Sequence, residues 1–224
     1  MTPTRYRRRT VRVLACAVAV TAVIGASACS SDDSASSDGH SSMDASGGAS
    51  ENSTTSTSVV IPAGLDVNVV DVSFAQGMIP HHAQAVEMSQ LAATNGASPA
   101  VQAIATKIEA AQQPEIDQMT GWLADWDQPA PDPNESMDEM HEMAGGMMMS
   151  GLVSSADMER LRAAQGPEFD RLYVEFMILH HEGAIEMAKQ QLAGGQNPDA
   201  KALAQTIIDT QQAEITELNA LLAS

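Results

Sequence analysis

The sequence predicts an all-α protein in which two repeated helical hairpins form a four-helix bundle, with a long crossover between the hairpins. Two observations carry this prediction. Apolar residues recur at spacings of three and four from residue 66 onward, which is the period of amphipathic helices. A shift of 99 positions also aligns two stretches of about fifty residues without a gap, so that Met78 meets Met177. A repeat made of two helices is a hairpin, and two hairpins with apolar stripes pack into a pseudo-twofold bundle.

Composition supports helices and excludes several classes of function. Only 3% of the 224 residues are aromatic, and the small and aliphatic residues that dominate suit helix packing better than a β-sandwich. The formal charge is -18, which argues against nucleic-acid binding because phosphates require a basic surface. The two cysteines, Cys16 and Cys29, precede the helical part. We therefore expect no disulfide framework and no thiolate metal site in the bundle.

Residues 1–28 predict a signal peptide of the lipoprotein type. An arginine-rich start leads into a short apolar run and then into Ala26-Ser-Ala-Cys29. The run is too short to span a membrane comfortably, and small residues before a cysteine are typical of a bacterial lipobox. We expect Cys29 to carry lipid and to anchor an extracytoplasmic protein to the cell membrane; the alternatives are ordinary cleavage without lipid and an uncleaved anchor. Residues 29–65, rich in Ser, Asp and Gly, predict a disordered tether.

The bundle is expected over residues 66–224, and capping signals delimit its helices. Proline after a capping residue begins a helix, and glycine ends one. The signals are Asn95-Gly96, Ser98-Pro99, Gly166-Pro167, Gly194-Gly195 and Asn197-Pro198. Residues 127–153 are a Met-rich loop in the crossover. Ser154 to Asp157 then predicts a capping box that opens a short helix.

Two histidine pairs are the main candidate metal ligands. Each pair lies in a repeated string with a methionine three residues before it and Glu-Met after it. The candidates are Met78, His81, His82, Met88, Met177, His180, His181 and Met187. These spacings place the methionines and one histidine of each pair on one helix face. Because adjacent helical residues point about 100° apart, we expect one ring of each pair to face the bundle and the other its flank.

The facing helices carry polar residues inside otherwise apolar stripes. Gln112 and Gln211 occupy such positions, and each has a glutamate three residues later, Glu115 or Glu214. A buried polar group needs a partner. We expect these four residues to support the metal ligands by hydrogen bonds to imidazole N–H groups.

Donor chemistry favours copper, and Cu(I) in particular, because thioether and imidazole ligands are soft. Zinc gains little from methionine. A ferritin-type di-iron centre needs Glu-x-x-His on two helices, and the chain contains no such motif. Zinc and iron nevertheless stay open. In the Met-rich loop, Met140, His141 and Met143 are the expected centre of a capture site for soft metal, with an apolar patch that covers the bundle end as the alternative.

The residues around both histidine pairs resemble domain-of-unknown-function family 305, a bacterial family of ferritin-like helical bundles. The motifs are Asp71-Val-Ser-Phe-Ala-Gln-Gly-Met-Ile-Pro-His-His82 with Ala85-Val-Glu-Met88, and Phe169-Asp-Arg-Leu-Tyr173 through Phe176-Met-Ile-Leu-His-His-Glu-Gly-Ala-Ile-Glu-Met187. The resemblance covers residues 66–223. It implies a ferritin-like fold, with Cu(I) or Cu(II) binding and copper resistance for some members, and it carries the Met and His positions over as candidate ligands.

Together these features predict a metal-binding envelope lipoprotein that buffers copper, confers resistance or transfers the metal. Its expected partners are the metal ion and, through acylated Cys29, the membrane; a protein partner would be a metallochaperone or a transporter. We expect no enzymatic activity. The alternatives are a redox metalloenzyme on the ferritin-like scaffold and a metal-free interaction lipoprotein whose histidines are packed and hydrogen-bonded. The sequence leaves the oligomeric state open.

Overall fold

Five helices contain most of the residues that the computed structural model describes, which are 60–131 and 150–223. They are α1 (Val69–Leu91), α2 (Pro99–Asp125), α3 (Ser155–Ala163), α4 (Pro167–Gly194) and α5 (Pro198–Leu222). No strand occurs in these two ranges. The predicted all-α bundle, with a short helix in the crossover, is confirmed. Within the same ranges, no helix has both the length and the apolar character needed to cross a membrane.

Several sequence predictions fall outside the described residues. They concern the signal peptide at residues 1–28, the lipidation of Cys29, and the capture site at Met140, His141 and Met143. These stay predictions.

The helix starts follow from capping residues. Asn68 accepts hydrogen bonds from the backbone N–H groups of Val70 and Asp71, and the Asp71 carboxylate accepts from the Asn68 N–H in return. Ser98 and Asn197 cap α2 and α5, each followed by a proline. A proline at the first helical position has its φ already set for the helix and gives up no hydrogen bond there. The predicted cap-plus-proline starts are therefore present in the fold.

The bundle consists of two antiparallel hairpins, α1 with α2 and α4 with α5, joined mainly through α1 and α4. These two central helices run antiparallel. The Asn68 side chain donates to the Gly194 carbonyl at one end (2.8 Å), and the hydroxyls of Ser89 and Tyr173 lie 3.1 Å apart toward the other end. Packing between α2 and α5 is lighter.

Two aspartates, 99 positions apart, tie the hairpins together. Asp71 on α1 accepts hydrogen bonds from the backbone N–H groups of Gln196 and Asn197, in the turn of the second hairpin. Asp170 on α4 accepts from the backbone N–H of Ser98, in the turn of the first hairpin (3.0 and 3.2 Å). Since Ser98 and Asn197 are also 99 positions apart, the two contacts are equivalent, and the two copies of the repeat are related by a pseudo-twofold axis.

The apolar core is divided into two clusters along the bundle. One cluster contains Met88 and Met177, and the other contains Met78 and Met187. On every long helix, residues of one cluster precede a short polar stretch and residues of the other follow it. The four polar stretches therefore lie at one level, in the middle of the fold.

Candidate metal centre

Eight polar side chains, two from each long helix, make up this middle level, which we call the polar layer. They are His81, His82, Gln112, Glu115, His180, His181, Gln211 and Glu214. Seven of the eight are buried, and the side chain of Glu115 alone retains 16% exposure. A polar group in an apolar core loses its hydration and is unfavourable unless it gains a partner. The contacts within the layer therefore decide what it can do.

The inner pair of rings, His81 and His180, meets where α1 crosses α4. The ring centroids are 3.8 Å apart and the planes are inclined by 44°. His180 Nε2 lies 2.9 Å from the backbone carbonyl of His81, and His81 Nε2 lies 3.1 Å from the carbonyl of Ser150. A carbonyl oxygen only accepts hydrogen bonds. Both Nε2 atoms must therefore carry the hydrogen and donate it.

The outer pair, His82 and His181, faces the second helix of each hairpin. His82 Nε2 lies 2.7 Å from a carboxylate oxygen of Glu115, and His181 Nε2 lies 2.9 Å from one of Glu214. The two contacts are equivalent, because each spans 33 residues within one copy of the repeat. A carboxylate is an acceptor, so these two Nε2 atoms also donate.

Each of the four rings consequently presents an unused lone pair on Nδ1. A neutral imidazole with its hydrogen on Nε2 has an acceptor nitrogen at Nδ1, and all four Nδ1 atoms are buried with no hydrogen-bond partner among the described residues. The amides of Gln112 and Gln211 are unpartnered in the same sense. An imidazole lone pair is a common metal ligand. This set of orphaned, buried nitrogen atoms fits a metal ion better than it fits a purely packed core.

Burial favours the neutral form of His81, His180 and His181, which is the form that binds metal. Desolvation, with a smaller contribution from His82, lowers the pKa of His81 to about 3, although the Ser150 carbonyl opposes the shift. Desolvation and the neighbouring histidines also bring the pKa of His180 well below its ordinary value. The pKa of His181 is lowered by burial, and Glu214 offsets part of that effect.

The four candidate methionines are buried on either side of the polar layer. Met88 packs in one apolar cluster with Met177, and Met78 packs in the other with Met187. Among residues 60–131 and 150–223, no group of three or more His, Cys, Asp or Glu side chains is arranged to hold a metal ion. The other potential donors in and beside this layer are imidazole nitrogens and thioether sulfurs, and such donors favour soft ions.

The structure corrects two expectations about the layer. We expected one ring of each histidine pair to face the flank of the bundle, but both rings are fully buried because the flank of α1 or α4 is covered by its hairpin partner. We also expected hydrogen bonds from Gln112 and Gln211 to imidazole. The outer rings instead contact Glu115 and Glu214, the other two residues expected to support the ligands.

Sequence reasoning missed residues 150–153, whose Ser150 carbonyl contacts His81. This segment has no periodic pattern and lies 69 residues from its partner in the chain, so no local signal identifies it. The one sequence feature nearby is that the repeat diverges at Gln84, whose equivalent 99 positions later is Gly183.

We expect Glu214→Leu to destabilise the protein more than Glu115→Leu. The first change leaves the His181 N–H buried without an acceptor, at a cost of about 1–3 kcal/mol. Loss of the unpartnered Glu214 Oε1 offsets part of that cost, but a hydrogen bond to a carboxylate is among the stronger ones. Water can replace Glu115 because that side chain is partly exposed. Urea unfolding of both variants at pH 7 measures the difference, and equal losses would contradict the expectation.

Comparisons with known proteins agree with this architecture. The family model described as domain of unknown function DUF305 matches residues 71–222. Among curated proteins the chain has no match. A crystal structure of a DUF305 protein from Streptomyces coelicolor, described as secreted, is similar with 32% identity and a TM-score of 0.61, covering 69% of this chain and 92% of that one. A DUF305 fragment from Deinococcus radiodurans has 28% identity and a TM-score of 0.61, covering 71% and 99%.

A third similar structure is CopM in its Cu(II)-bound form. It has 30% identity to this chain and a TM-score of 0.56, and the match covers 67% of this chain and 93% of that one. CopM has also been solved in Cu(I)-bound, Ag-bound and apo forms, which match this chain at 28–29% identity.

Proposed function

Because the chain belongs to the DUF305 family, we propose that it is an extracytoplasmic copper-binding protein whose polar layer holds Cu(I). The observation that carries the proposal is the set of four buried imidazole Nδ1 atoms without partners among the described residues. CopM, a family neighbour by structure, binds Cu(II), Cu(I) and Ag. Imidazole and thioether donors together prefer such soft ions.

In this proposal the inner rings, His81 and His180, are the first ligands. Their rings are adjacent, their Nε2–H groups are already used by carbonyl oxygens, and their Nδ1 atoms are buried without a partner among the described residues. The buried thioethers of Met78, Met88, Met177 and Met187 complete the donor set. The carboxylates of Glu115 and Glu214 hold the outer rings in the same tautomer and raise their basicity, which is how a hydrogen-bonded carboxylate supports a histidine ligand.

In this proposal, Cys29 and the Met-rich loop determine where the protein is located and how it captures metal. Lipid on Cys29 would anchor the protein at the outer face of the cell membrane, and the secreted description of the Streptomyces coelicolor neighbour supports an extracytoplasmic site. Met140, His141 and Met143 would collect soft metal before it enters the bundle. We propose binding for buffering, resistance or transfer, and no catalysis. A transporter or metallochaperone would exchange copper with the protein.

A metal titration of the purified mature chain tests the proposal. Under reducing conditions, with a competing chelator, Cu(I) and Ag(I) are expected to bind at a saturable site and to raise the melting temperature, since a ligand that binds only the native state stabilises it by about 4 kcal/mol at 1,000 times its Kd. Zn(II) at the same concentrations is expected to have a much smaller effect. Equal stabilisation by Zn(II), or no saturable Cu(I) binding, would reject the assignment.

A further inference from the structure

Residues 150–153, which we call the strap, lie against the inner histidine His81. The Ser150 carbonyl accepts the hydrogen bond from His81 Nε2. Three residues later, Val153 is bound at both backbone groups by one side chain: Gln84 Nε2 donates to the Val153 carbonyl at 2.8 Å, and the Val153 N–H donates to Gln84 Oε1 at 2.9 Å. The strap is thus attached to α1 by three hydrogen bonds.

On its other side the strap rests on the backbone of α4. A Cβ atom added at Gly183 would overlap the Ser150 carbonyl and would lie 2.6 Å from the Gly151 Cα. Gly151 itself has φ +85°, and a Cβ there would lie 2.6 Å from the Leu179 carbonyl oxygen. Contacts of this kind involve backbone atoms, which cannot swing aside. Glycine at position 183 is therefore required for the strap to reach His81.

The repeat shows that these two attachments are paired. Gln84 and Gly183 occupy equivalent positions, 99 residues apart, three residues after His81 and His180 respectively. On α1 this position carries the glutamine side chain that is hydrogen-bonded to the strap, and on α4 it carries a glycine, which has no side chain. Because the two copies differ at this position, the strap is hydrogen-bonded to Gln84 on α1 and packs closely against Gly183 on α4.

The strap makes the two inner histidines unequal. His180 donates to the carbonyl of His81, an acceptor that belongs to helix α1. By the pseudo-twofold, His81 would donate to the carbonyl of His180, yet its Nε2 donates to Ser150. The tautomer of His180 is therefore fixed by the bundle, whereas the tautomer of His81 is fixed by the strap.

We propose that the strap positions His81 for metal binding: the Ser150 carbonyl holds the ring hydrogen on Nε2 and leaves Nδ1 as the ligating atom. Gln84 and Gly183 are the positioning residues that keep the strap in place. The part of this proposal that concerns metal affinity rests on the proposed function, and the part that concerns the tautomer of the metal-free protein does not.

Metal affinity and strap attachment are then coupled. A cation bound at Nδ1 makes the Nε2–H more acidic and strengthens its hydrogen bond to Ser150, as for other supported histidine ligands. By thermodynamic linkage the coupling is reciprocal. The factor by which bound metal favours attachment of the strap equals the factor by which an attached strap raises metal affinity. Loss of an outer partner of this kind lowers metal affinity by about 10–100-fold.

Gly183→Ala tests the proposal, with Gly121→Ala as the matched control. Both changes add one methyl group to a long helix, but the space around Gly121 is open within 4 Å. Long-range ¹H–¹⁵N NMR of the metal-free mature chain reports which nitrogen of each ring carries the hydrogen. We expect His81 to carry it on Nε2 in the wild type and in Gly121→Ala. In Gly183→Ala we expect His81 to lose that tautomer while His180 retains it.

A second variant, Gln84→Leu, frees the strap without adding a clash and keeps the test decisive if Gly183→Ala does not fold. It is expected to change the His81 signals in the same way and to weaken Ag(I) binding by about tenfold or more. A folded Gln84→Leu with His81 unchanged, or a wild type with the His81 hydrogen on Nδ1, overturns the proposal. If the wild type binds neither Ag(I) nor Cu(I), the proposed function fails, and the NMR result still decides the role of the strap.

Discussion

Acidification from pH 7 to pH 5 is expected to destabilise the metal-free protein strongly. His81 has its pKa lowered to about 3 in the folded protein against 6.5 for an ordinary histidine. Between these values the unfolded chain binds a proton that the folded chain does not, so stability falls as the pH drops through 6.5 and continues to fall toward 3. At pH 5 this one ring lowers the free energy of unfolding by about 2 kcal/mol, since each pH unit below 6.5 costs about 1.36 kcal/mol.

His180 and His181 act in the same direction. His81 is surrounded by His180, His82 and His181 and not by free carboxylates, and the pKa values of His180 and His181 are lowered as well. A typical domain is stable by only about 5–15 kcal/mol. Together, His81, His180 and His181 therefore remove a large part of the free energy of unfolding at pH 5.

Urea unfolding followed by circular dichroism at pH 7.5, 6 and 5 measures this loss. Bound Cu(I) or Ag(I) should protect the protein, because the metal takes the lone pair that a proton would use. Equal unfolding free energies at pH 7.5 and pH 5 would mean that the rings are hydrated or differently paired in solution.

The sequence predicted the fold in some detail because the signals involved are local or repeated. Ser98-Pro99 and Asn197-Pro198 begin helices through contacts within four residues. The 99-residue shift then determined which helices are equivalent, and Asp71 and Asp170 occupy equivalent positions in the bundle. Neither kind of signal depends on the detailed packing of one helix against another.

The arrangement of the candidate site depends on packing between helices, and there the sequence was a weaker guide. Helical geometry alone separates His81 from His82 by about 100°, but it does not say that α2 covers the second direction. The spacing of Gln112 and Glu115 on α2 likewise does not decide which side chain reaches a ring 33 residues away. The contact of Ser150 with His81 had no signal, because a single backbone carbonyl supplies it.

The inner histidine pair is expected to be indispensable for metal binding. Replacement of both rings, His81→Leu with His180→Leu, removes two buried Nδ1 donors and substitutes apolar side chains that the core of the bundle accepts. Since loss of an outer hydrogen-bond partner alone lowers affinity by about 10–100-fold, loss of two ligands should lower the affinity for Cu(I) by more than about 100-fold. A chelator-competition titration with Cu(I) under reducing conditions measures this change.

The choice of leucine at the inner pair separates binding from folding. Alanine at all four histidines would leave the buried carboxylate of Glu214 without its partner, so a loss of metal binding there could reflect unfolding. The inner-pair variant leaves both outer contacts in place. It removes two rings whose folded-state pKa values are lowered, so that the unfolded chain binds protons that the folded chain does not. We therefore expect it to fold and to lose part of the pH dependence between pH 7 and pH 5, in addition to its metal affinity.

A matched variant distinguishes the buried site from the Met-rich loop. Alanine at Met140, His141 and Met143 removes the predicted capture residues and replaces none of the eight residues of the polar layer, so tight Cu(I) binding should persist while loading becomes slower. If instead this loop variant loses tight binding and the inner-pair variant keeps it, the metal resides in the loop. The buried rings would then be a polar core whose lone pairs contribute nothing to copper affinity.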